Sequence, residues 1–253
     1  MAKIDIVPKY LYKYKTFDEN NYWQDILLNN RLYMPPPSQF NDPFEGKLFP
    51  FDSGTCGNTI NLATGQMNKD VGQYLDNYRV VCLSGNIRNK AMWAYYACDY
   101  RGFAIQFKTY SLKENYMVDN AFSKAQRVIY KSNSEEIPCK QIMNPSEADK
   151  ALRKCLLYKS EDWAQEEEFR IIERVNKAKK KYLKFAPNDI ESVILGIRMS
   201  EDNRKKITKI CKEKNLRIRN MWLATIDSKI EFYTGEGPRR DGSSYKDFID
   251  KDI

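Results

Sequence analysis

The sequence predicts an α+β fold, in which a single domain carries a mixed or antiparallel β-sheet flanked by helices. Three observations predict it. The chain has 253 residues, of which 42% are hydrophobic and 13% aromatic, and this suffices for one large core. Short apolar runs with strand character recur between helical patterns, and no internal repeat or low-complexity tract is present. We predict one domain over residues 1–234 and a polar, linker-like tail over residues 235–253.

The predicted strands share β-branched, aromatic or alternating apolar residues. They cover residues 10–15, 31–34, 79–84, 102–107, 125–131, 166–175, 182–185, 192–196, 216–220 and 229–234. Three prolines end the second strand, and the stretch F-N-D-P-F-E-G at residues 40–46 follows as a turn. Its two phenylalanines indicate that the turn is anchored to the core, and anchored loops often carry binding sites.

The predicted helices carry apolar residues at helical spacing. They cover residues 18–30, 66–78, 89–98, 145–158 and 201–215. Tyr22, Ile26 and Leu27 are expected on the buried face of the first helix. Asn89 and Ser200 precede two of the helices and are placed to cap them.

Charge and hydropathy indicate which partners and which cellular compartment to expect. The formal net charge of +8 suits contact with nucleic acid, although a well-solubilised surface also accounts for it. No run of eighteen apolar residues is present, and the N-terminus lacks the layout of a signal peptide. We therefore expect a cytoplasmic protein without a membrane partner.

The absence of histidine excludes many kinds of chemistry. A chain with no histidine cannot build a Ser-His-Asp triad, a Cys-His pair or a His-ligated metal site. The six cysteines are scattered without a Cys-x-x-Cys spacing, so we expect them to be reduced and mostly buried. The remaining possibilities are glycosyl transfer or hydrolysis by carboxylates, magnesium-dependent phosphodiester cleavage, and no chemistry at all.

The stretch W-A-Q-E-E-E-F-R at residues 163–170 is the strongest candidate for a site. If a strand begins at Glu166, its period of two places Glu166, Glu168 and Arg170 on one face and Glu167 and Phe169 on the other. Two carboxylates on one face repel each other unless a cation is near, and Arg170 can be that cation. A solvent-facing strand with cross-strand ion pairs is the alternative.

Several motifs carry a resemblance to a known family. They are L-Y-K-Y at residues 11–14, F-N-D-P-F-E at 40–45, C-L-S at 82–84, M-W-A-Y-Y-A and R-G-F-A-I-Q-F between 92 and 107, and W-x-x-E-x-E-x-R at 163–170. With these motifs the chain resembles, over most of residues 10–215, a bacterial domain family of unknown function associated with phage-defence and abortive-infection loci. The resemblance implies a toxin or effector of phage defence, with a phage protein or a cognate defence-system protein as a partner.

The chain departs from that family at two positions. The family usually has histidine where this chain has Tyr95 and Tyr100. Tyrosine retains a hydrogen-bonding tip but titrates at about pH 10, so these positions are expected to bind or pack rather than transfer protons.

The order of the motifs is also similar to that of ADP-ribosyltransferases, whose sheet is split. Those enzymes have a polar residue on a first strand, a serine at the end of a middle strand and Glu-x-Glu on a late strand. Lys13, Ser84 and the pair Glu166 and Glu168 fall in that order. The resemblance implies NAD as the substrate and a protein or nucleic acid as the acceptor. Glu168 is then the catalytic carboxylate, Glu166 orients or deprotonates the acceptor, and Ser84 supports Glu168.

The same hypothesis assigns further residues to the NAD site. Lys13 and Arg101 are expected to meet the dinucleotide phosphates, and Trp93 or Tyr96 to stack on a ring of the substrate. Asn41, Asp42 and Glu45, in the turn at residues 40–46, are candidate ligand contacts. The alternatives are core packing for the aromatic residues, a turn-forming role for Asn41, Asp42 and Glu45, and simple exposure for Lys13.

Two rival functions use other features of the sequence. A metal-dependent nuclease could use the triplets Glu45-Gly46-Lys47 or Asp227-Ser228-Lys229, although such triplets arise easily by chance. A non-catalytic phage-sensing or antitoxin-like module would use the same motifs for packing and partner contacts.

Overall fold

A computed structural model describes residues 7–42, 45, 75–113, 116–132, 145–175, 181–224 and 229–234. It confirms the α+β class with a mixed sheet. The strands are β1 (Tyr10–Lys15), β2 (Arg31–Tyr33), β3 (Tyr78–Ser84), β4 (Phe103–Lys108), β5 (Tyr110–Lys113), β6 (Tyr116–Asp119), β7 (Gln126–Arg127), β8 (Ile129–Lys131), β9 (Tyr158–Ser160), β10 (Glu168–Arg174), β11 (Tyr182–Lys184), β12 (Ile190–Leu195), β13 (Ile218–Ala224) and β14 (Lys229–Tyr233).

The main sheet has eight strands in the order β14-β13-β12-β4-β1-β3-β10-β7. Strands β12 and β13 are parallel, and the other neighbours are antiparallel. β1 pairs with β4 along its whole length, and β3 likewise with β10. β1 and β3, in contrast, share the single pair Tyr12↔Ser84. The sheet therefore consists of two halves that meet at one residue pair.

Four helices accompany the strands in the described part of the chain. They are α1 (Tyr22–Asn29), α2 (Lys90–Tyr96), α3 (Pro145–Cys155) and α4 (Glu201–Glu213). The two predicted caps are confirmed, since the side chains of Asn89 and Ser200 accept hydrogen bonds from the backbone N–H groups of Met92 and Asn203. Within the described ranges, no helix has the length and apolar character needed to span a bilayer.

The helices cover both faces of the sheet. On one face Leu11 and Phe169 of the strands pack with Trp23 of α1 and Ile207 of α4. Tyr12, the next residue of β1, lies on the other face, where it joins a core that includes Met92 and Trp93 of α2. This alternation is the strand periodicity that the sequence shows. The half made of β3 and β10 is covered by Leu152 of α3 and by Leu156, the residue that follows this helix.

The first helix begins later than predicted. The Asp18 carboxylate accepts hydrogen bonds from the backbone N–H groups of Tyr22 and Trp23, at 2.9 and 3.3 Å, so Asp18 caps the helix instead of belonging to it. The prediction that Tyr22 faces the core is wrong, because Tyr22 is 71% exposed. Trp23, Ile26 and Leu27 form the buried face.

Other boundaries differ because strands change partners. The strand predicted over residues 125–131 is divided into β7 and β8, since the backbone N–H of Val128 donates to Glu168 and β8 then pairs with β9. The helix predicted over residues 145–158 ends at Cys155, ahead of β9. The strand predicted from Glu166 begins at Glu168.

Some predictions lie partly or wholly outside the described residues. These are the helix predicted over residues 66–78, the tail at 235–253 and the triplets at 45–47 and 227–229. Tyr78, the last residue of that predicted helix, is the first residue of β3. The four described cysteines are free, with Cys155 and Cys211 buried, Cys82 half-buried and Cys98 exposed.

Candidate functional site

A cleft opens where the two halves of the main sheet separate. Beyond the pair Tyr12↔Ser84, β1 no longer pairs with β3, and the Lys13 ammonium bridges the gap by donating to the Cys82 carbonyl oxygen at 2.9 Å. The cleft at this opening has a volume of about 90 Å³ and is lined by residues of both strands. Its size suits a group no larger than one small ring.

The outer walls of the cleft are largely apolar and aromatic. They are formed by Tyr12 and Tyr14 of β1, Met92 and Tyr96 of α2, and Phe40 in the loop after β2. Such walls with a few convergent polar groups are typical of small-molecule sites.

The inner end of the cleft is charged. The Lys159 ammonium on β9 contacts three carboxylates, with distances of 2.9 Å to Glu45, 2.6 Å to Glu166 and 3.2 Å to Glu168. These four side chains are only 3–6% exposed. Ion pairs buried to this degree are screened little by water.

Arg170 completes this group of charges. Its guanidinium holds Glu168 in a bidentate pair, with Nε and Nη2 each 2.8 Å from a carboxylate oxygen. Nη2 also donates to Glu45 at 2.8 Å, and Nη1 donates to the Leu156 carbonyl oxygen at 2.7 Å. The guanidinium lies 5.2 Å from the centre of the Phe40 ring. These hydrogen bonds and the ring contact hold the Arg170 guanidinium in one orientation.

We call Glu45, Lys159, Glu166, Glu168 and Arg170 the ion cluster. It joins three carboxylates to two cations, so its formal charge is −1. Removing one partner from such a buried group leaves an uncompensated charge, which is costly. The cluster therefore limits which substitutions the fold tolerates.

The chain before β10 brings Glu166 and Glu168 together without a continuous strand. Glu166 ends a 3₁₀ helix (Glu161–Glu166), and Glu167 has a left-handed backbone with φ of 45°. The backbone N–H of Glu168 then donates to the Tyr130 hydroxyl at 2.8 Å. The side chain of Glu167 lies apart from the cleft, where it accepts a hydrogen bond from Asn86 at 2.6 Å.

The cluster shifts the pKa values of its members in opposite directions. Burial favours the neutral form of Glu168, but Arg170 and then Lys159 outweigh it and lower the pKa of Glu168 from 4.5 to about 2. Burial raises the pKa of Glu45, against the opposing effect of Arg170. Burial would lower the pKa of Lys159, yet the three carboxylates raise it. Glu168 and Lys159 are therefore charged at neutral pH.

The depressed pKa of Glu168 predicts an acid-dependent contribution to stability. Because the folded-state pKa lies below the ordinary value, the stabilisation is complete above pH 4.5 and is lost as the pH falls towards 2. The free energy of unfolding of the wild type should therefore fall relative to that of Glu168→Gln over this range. Urea denaturation of both proteins at a series of pH values measures the difference, and parallel curves would contradict the prediction.

Most of the predicted site residues come together at the cleft. Lys13 and Ser84 line it with Glu166 and Glu168. The Ser84 hydroxyl donates to the backbone carbonyl of Glu166 at 2.7 Å, and Ser84 is the register partner of Glu168. Ser84 thus holds the segment that carries both carboxylates.

Tyr96 and Asn41 extend the hydrogen bonding towards the surface. The Tyr96 hydroxyl donates to Glu166 at 2.5 Å and accepts from the Asn41 amide at 3.0 Å. Burial, followed by the hydrogen bond to Glu166, raises the pKa of Tyr96.

Four predicted residues do not line the cleft, and one of them, Arg170, pairs with Glu168 from behind the lining. Trp93 is fully buried in the core, where its indole N–H donates to the Ile87 carbonyl, so it packs and does not stack on a substrate. Arg101 is exposed and forms an ion pair with Asp99. Asp42 is buried beside Asn41, whose side-chain oxygen accepts from its backbone N–H.

Tyr95 and Tyr100, the two tyrosines that the sequence singles out, also lie elsewhere. Tyr95 is 71% exposed. Tyr100 stacks on Trp93 with ring centres 6.3 Å apart, and its hydroxyl donates to the Lys90 carbonyl. Neither residue lines the cleft.

Sequence reasoning missed or undervalued several residues of the site. Lys159 lies in the short stretch Y-K-S, which has no recognisable motif, and Tyr130 was assigned only to a strand. Glu45 is expected from the sequence as a turn former or as a ligand contact, and its burial among charged partners is not predicted. The two phenylalanines that precede Glu45 in F-N-D-P-F-E are the available indication that it is buried.

Each carboxylate of the cluster is paired with a protein cation. Among the described residues, no group of three metal-ligating side chains is arranged to hold a metal ion. In the ion cluster, Lys159 and Arg170 occupy the space between the carboxylates where such an ion would lie.

One comparison with known proteins gives a match to part of the chain. Searches of curated proteins and of solved structures gave no match. Residues 92–171 match a family described as a protein of unknown function (DUF2971). The matched segment runs from α2 into β10 and contains four of the five residues of the ion cluster, so this family model covers the charged end of the cleft.

Proposed function

We propose that the protein transfers ADP-ribose from NAD to a protein or nucleic-acid acceptor, as an effector of bacterial phage defence. The observation that carries the proposal is the meeting of Lys13, Ser84, Glu166 and Glu168 at one cleft in a divided sheet. The first and the last of these residues, Lys13 and Glu168, are 155 positions apart along the chain. The resemblance of the sequence motifs supports the defence role.

The cleft fits one end of the donor. With a volume of about 90 Å³, the cleft takes at most one ring of the donor, and the rest of the dinucleotide must lie outside it. The apolar walls suit such a ring, while the Lys13 ammonium at the opening is the cation available to a phosphate.

The chemistry requires negative charge beside the breaking bond. The bond between the nicotinamide nitrogen and ribose C1′ breaks, and its electron pair leaves with nicotinamide. A lone pair of the acceptor forms the new bond to C1′, which carries positive charge in the transition state. Glu168, ionised and held in a fixed position, supplies a preorganised negative charge at this end of the cleft.

The Glu166 carboxylate can accept further hydrogen bonds. Among the described residues, one of its oxygens accepts from Tyr96 and the other from Lys159. A carboxylate can accept about four hydrogen bonds, so each oxygen retains a free position. Glu166 is therefore suited to orient the acceptor and to take the proton it releases.

Release of nicotinamide is the direct test. The purified chain is incubated with NAD and, in separate reactions, with RNA, DNA, a lysate protein fraction or buffer alone. We expect free nicotinamide by mass spectrometry, with ADP-ribose added to one class of acceptor. Folded protein that releases no nicotinamide under any of these conditions would overturn the proposal.

The same reactions distinguish the rival functions. Cleavage of nucleic acid that needs magnesium and proceeds without NAD would identify a nuclease. Binding to a phage protein without release of nicotinamide would indicate a sensing module. Neither outcome is expected if the ion cluster serves glycosyl transfer.

A further inference from the structure

We infer that Lys159 is the positioning residue of the proposed reaction, because it sets the separation of Glu166 and Glu168. The inference rests on the proposed function and adds a residue that neither the motifs nor their spacing indicated. Lys159 acts through the two carboxylates and is not assigned a contact with the reacting atoms.

Lys159 is the link between the two site carboxylates. Its ammonium lies 2.6 Å from one oxygen of Glu166 and 3.2 Å from one oxygen of Glu168. Within the described part of the chain, Arg170 pairs with Glu168 but not with Glu166, and Tyr96 bonds Glu166 but not Glu168. Without Lys159, the two glutamates share no cation.

The lysine is itself held firmly. β9 pairs in parallel with β8, and in this pairing Lys159 lies opposite Tyr130. The Tyr130 hydroxyl accepts from the backbone N–H of Glu168, so one short ribbon fixes both the ammonium and the start of β10. The Trp163 ring covers the ammonium with its centre 5.2 Å away.

The charge balance shows what the lysine prevents. The cluster has a formal charge of −1, and replacing Lys159 with a neutral residue changes it to −2. Glu166 would then lose its cation, and Glu168 would depend on Arg170 alone. Buried like charges a few ångströms apart repel strongly, so the carboxylates would separate or one would take up a proton.

The charged groups around Glu168 determine how its titration responds to the loss of Lys159. The charged and titratable groups that face it are Arg170 on its own strand, Lys159 on β9, Cys82 on β3, Tyr130 on β8, and the cluster carboxylates Glu45 and Glu166. Of these, Arg170 and Lys159 are cations. Loss of one of the two should therefore move the titration of Glu168 to higher pH.

The test compares Lys159→Met with Lys159→Arg in steady-state release of nicotinamide. For Lys159→Met we expect kcat to fall by about 10²-fold, while KM for NAD changes by less than about threefold, because its ammonium is paired with three carboxylates of the cluster. The acid limb of the kcat profile should move to higher pH. Lys159→Arg, which retains the charge, should recover a substantial part of kcat.

A double variant separates positioning from stability. Lys159→Met with Glu45→Gln restores the formal charge of −1 and should recover stability to urea. If Lys159 positions the carboxylates, kcat stays low in this variant. If kcat returns with stability, the lysine is merely structural and the inference is overturned.

A second readout does not depend on activity. The protein is labelled with ¹³C at the glutamate carboxyl carbons, and Glu168 is titrated by NMR in the wild type and in Lys159→Met. We expect the midpoint of Glu168 to rise in the variant. An unchanged midpoint overturns the inference, whereas a wild type that releases no nicotinamide while the midpoint rises refutes the proposed reaction and leaves the geometry of the cluster supported.

Discussion

Replacing Arg170 with methionine is expected to lower the free energy of unfolding by about 3–5 kcal/mol. Arg170 is 1% exposed and pairs with both Glu168 and Glu45. Methionine fills part of the space but removes the charge, so the cluster changes from −1 to −2 in a site that water barely reaches. The carbonyl of Leu156 also loses its donor. Urea denaturation at neutral pH measures the loss.

Arg101→Met is the matched control for this prediction. Arg101 also pairs with an aspartate, Asp99, but both side chains are more than half exposed. Exposed pairs contribute about 0–1 kcal/mol, so this variant should unfold close to the wild type. Adding Glu168→Gln to Arg170→Met restores the charge of −1 and should recover part of the stability. Equal effects of the Arg170 and Arg101 variants would mean that the ion cluster contributes no more to stability than an exposed ion pair.

The elements that could be predicted from the sequence are those specified by local chemistry. Asn89 and Ser200 cap helices because a side-chain oxygen and a backbone N–H two or three residues later need no distant partner. The buried strands were recognisable from β-branched and aromatic runs. Their ends were less predictable, as at Val128, because the end depends on which strand the backbone meets.

The pair Glu166 and Glu168 was correctly brought together, but through a different backbone from the one predicted. The expected strand alternation starts only at Glu168, and the left-handed residue Glu167 supplies the reversal that directs its own side chain away. Glu166 and Glu168 therefore lie on the same side because a 3₁₀ helix ends at Glu166 and Glu167 has a left-handed backbone. Strand alternation is not the cause. The spacing of the two glutamates in the sequence does not distinguish this backbone from a continuous strand.

The rest of the site could not be predicted because it depends on contacts between distant segments. Glu45 meets Arg170 across 125 positions, and Lys13 meets the Cys82 carbonyl across 69. Lys159 is unremarkable in sequence until three carboxylates surround it. Conversely, Arg101 has a charge suited to phosphate but lies on a turn outside the cleft. Residue type indicates what a side chain can do, and the topology of the sheet decides where it does so.

Replacing Glu168 with glutamine is expected to reduce kcat/KM for nicotinamide release by about 10²- to 10³-fold. The amide has nearly the same shape but removes the fixed negative charge from the cleft. The fold should tolerate it, because the cluster then holds two carboxylates and two cations and is neutral. The measurement is nicotinamide release from NAD at neutral pH, together with circular dichroism to show that the variant is folded.

Glu167→Gln is the control that makes this prediction specific. It is the same chemical change one residue earlier, at a side chain that bonds Asn86 and does not line the cleft. We expect its activity to stay within about twofold of the wild type, since exposed or peripheral changes of this kind have small effects. If both variants lose activity equally, the loss comes from the general charge of the E-E-E run. If Glu168→Gln is folded and as active as the wild type, Glu168 is a structural member of the ion cluster and the charge that assists bond breaking must come from Glu166.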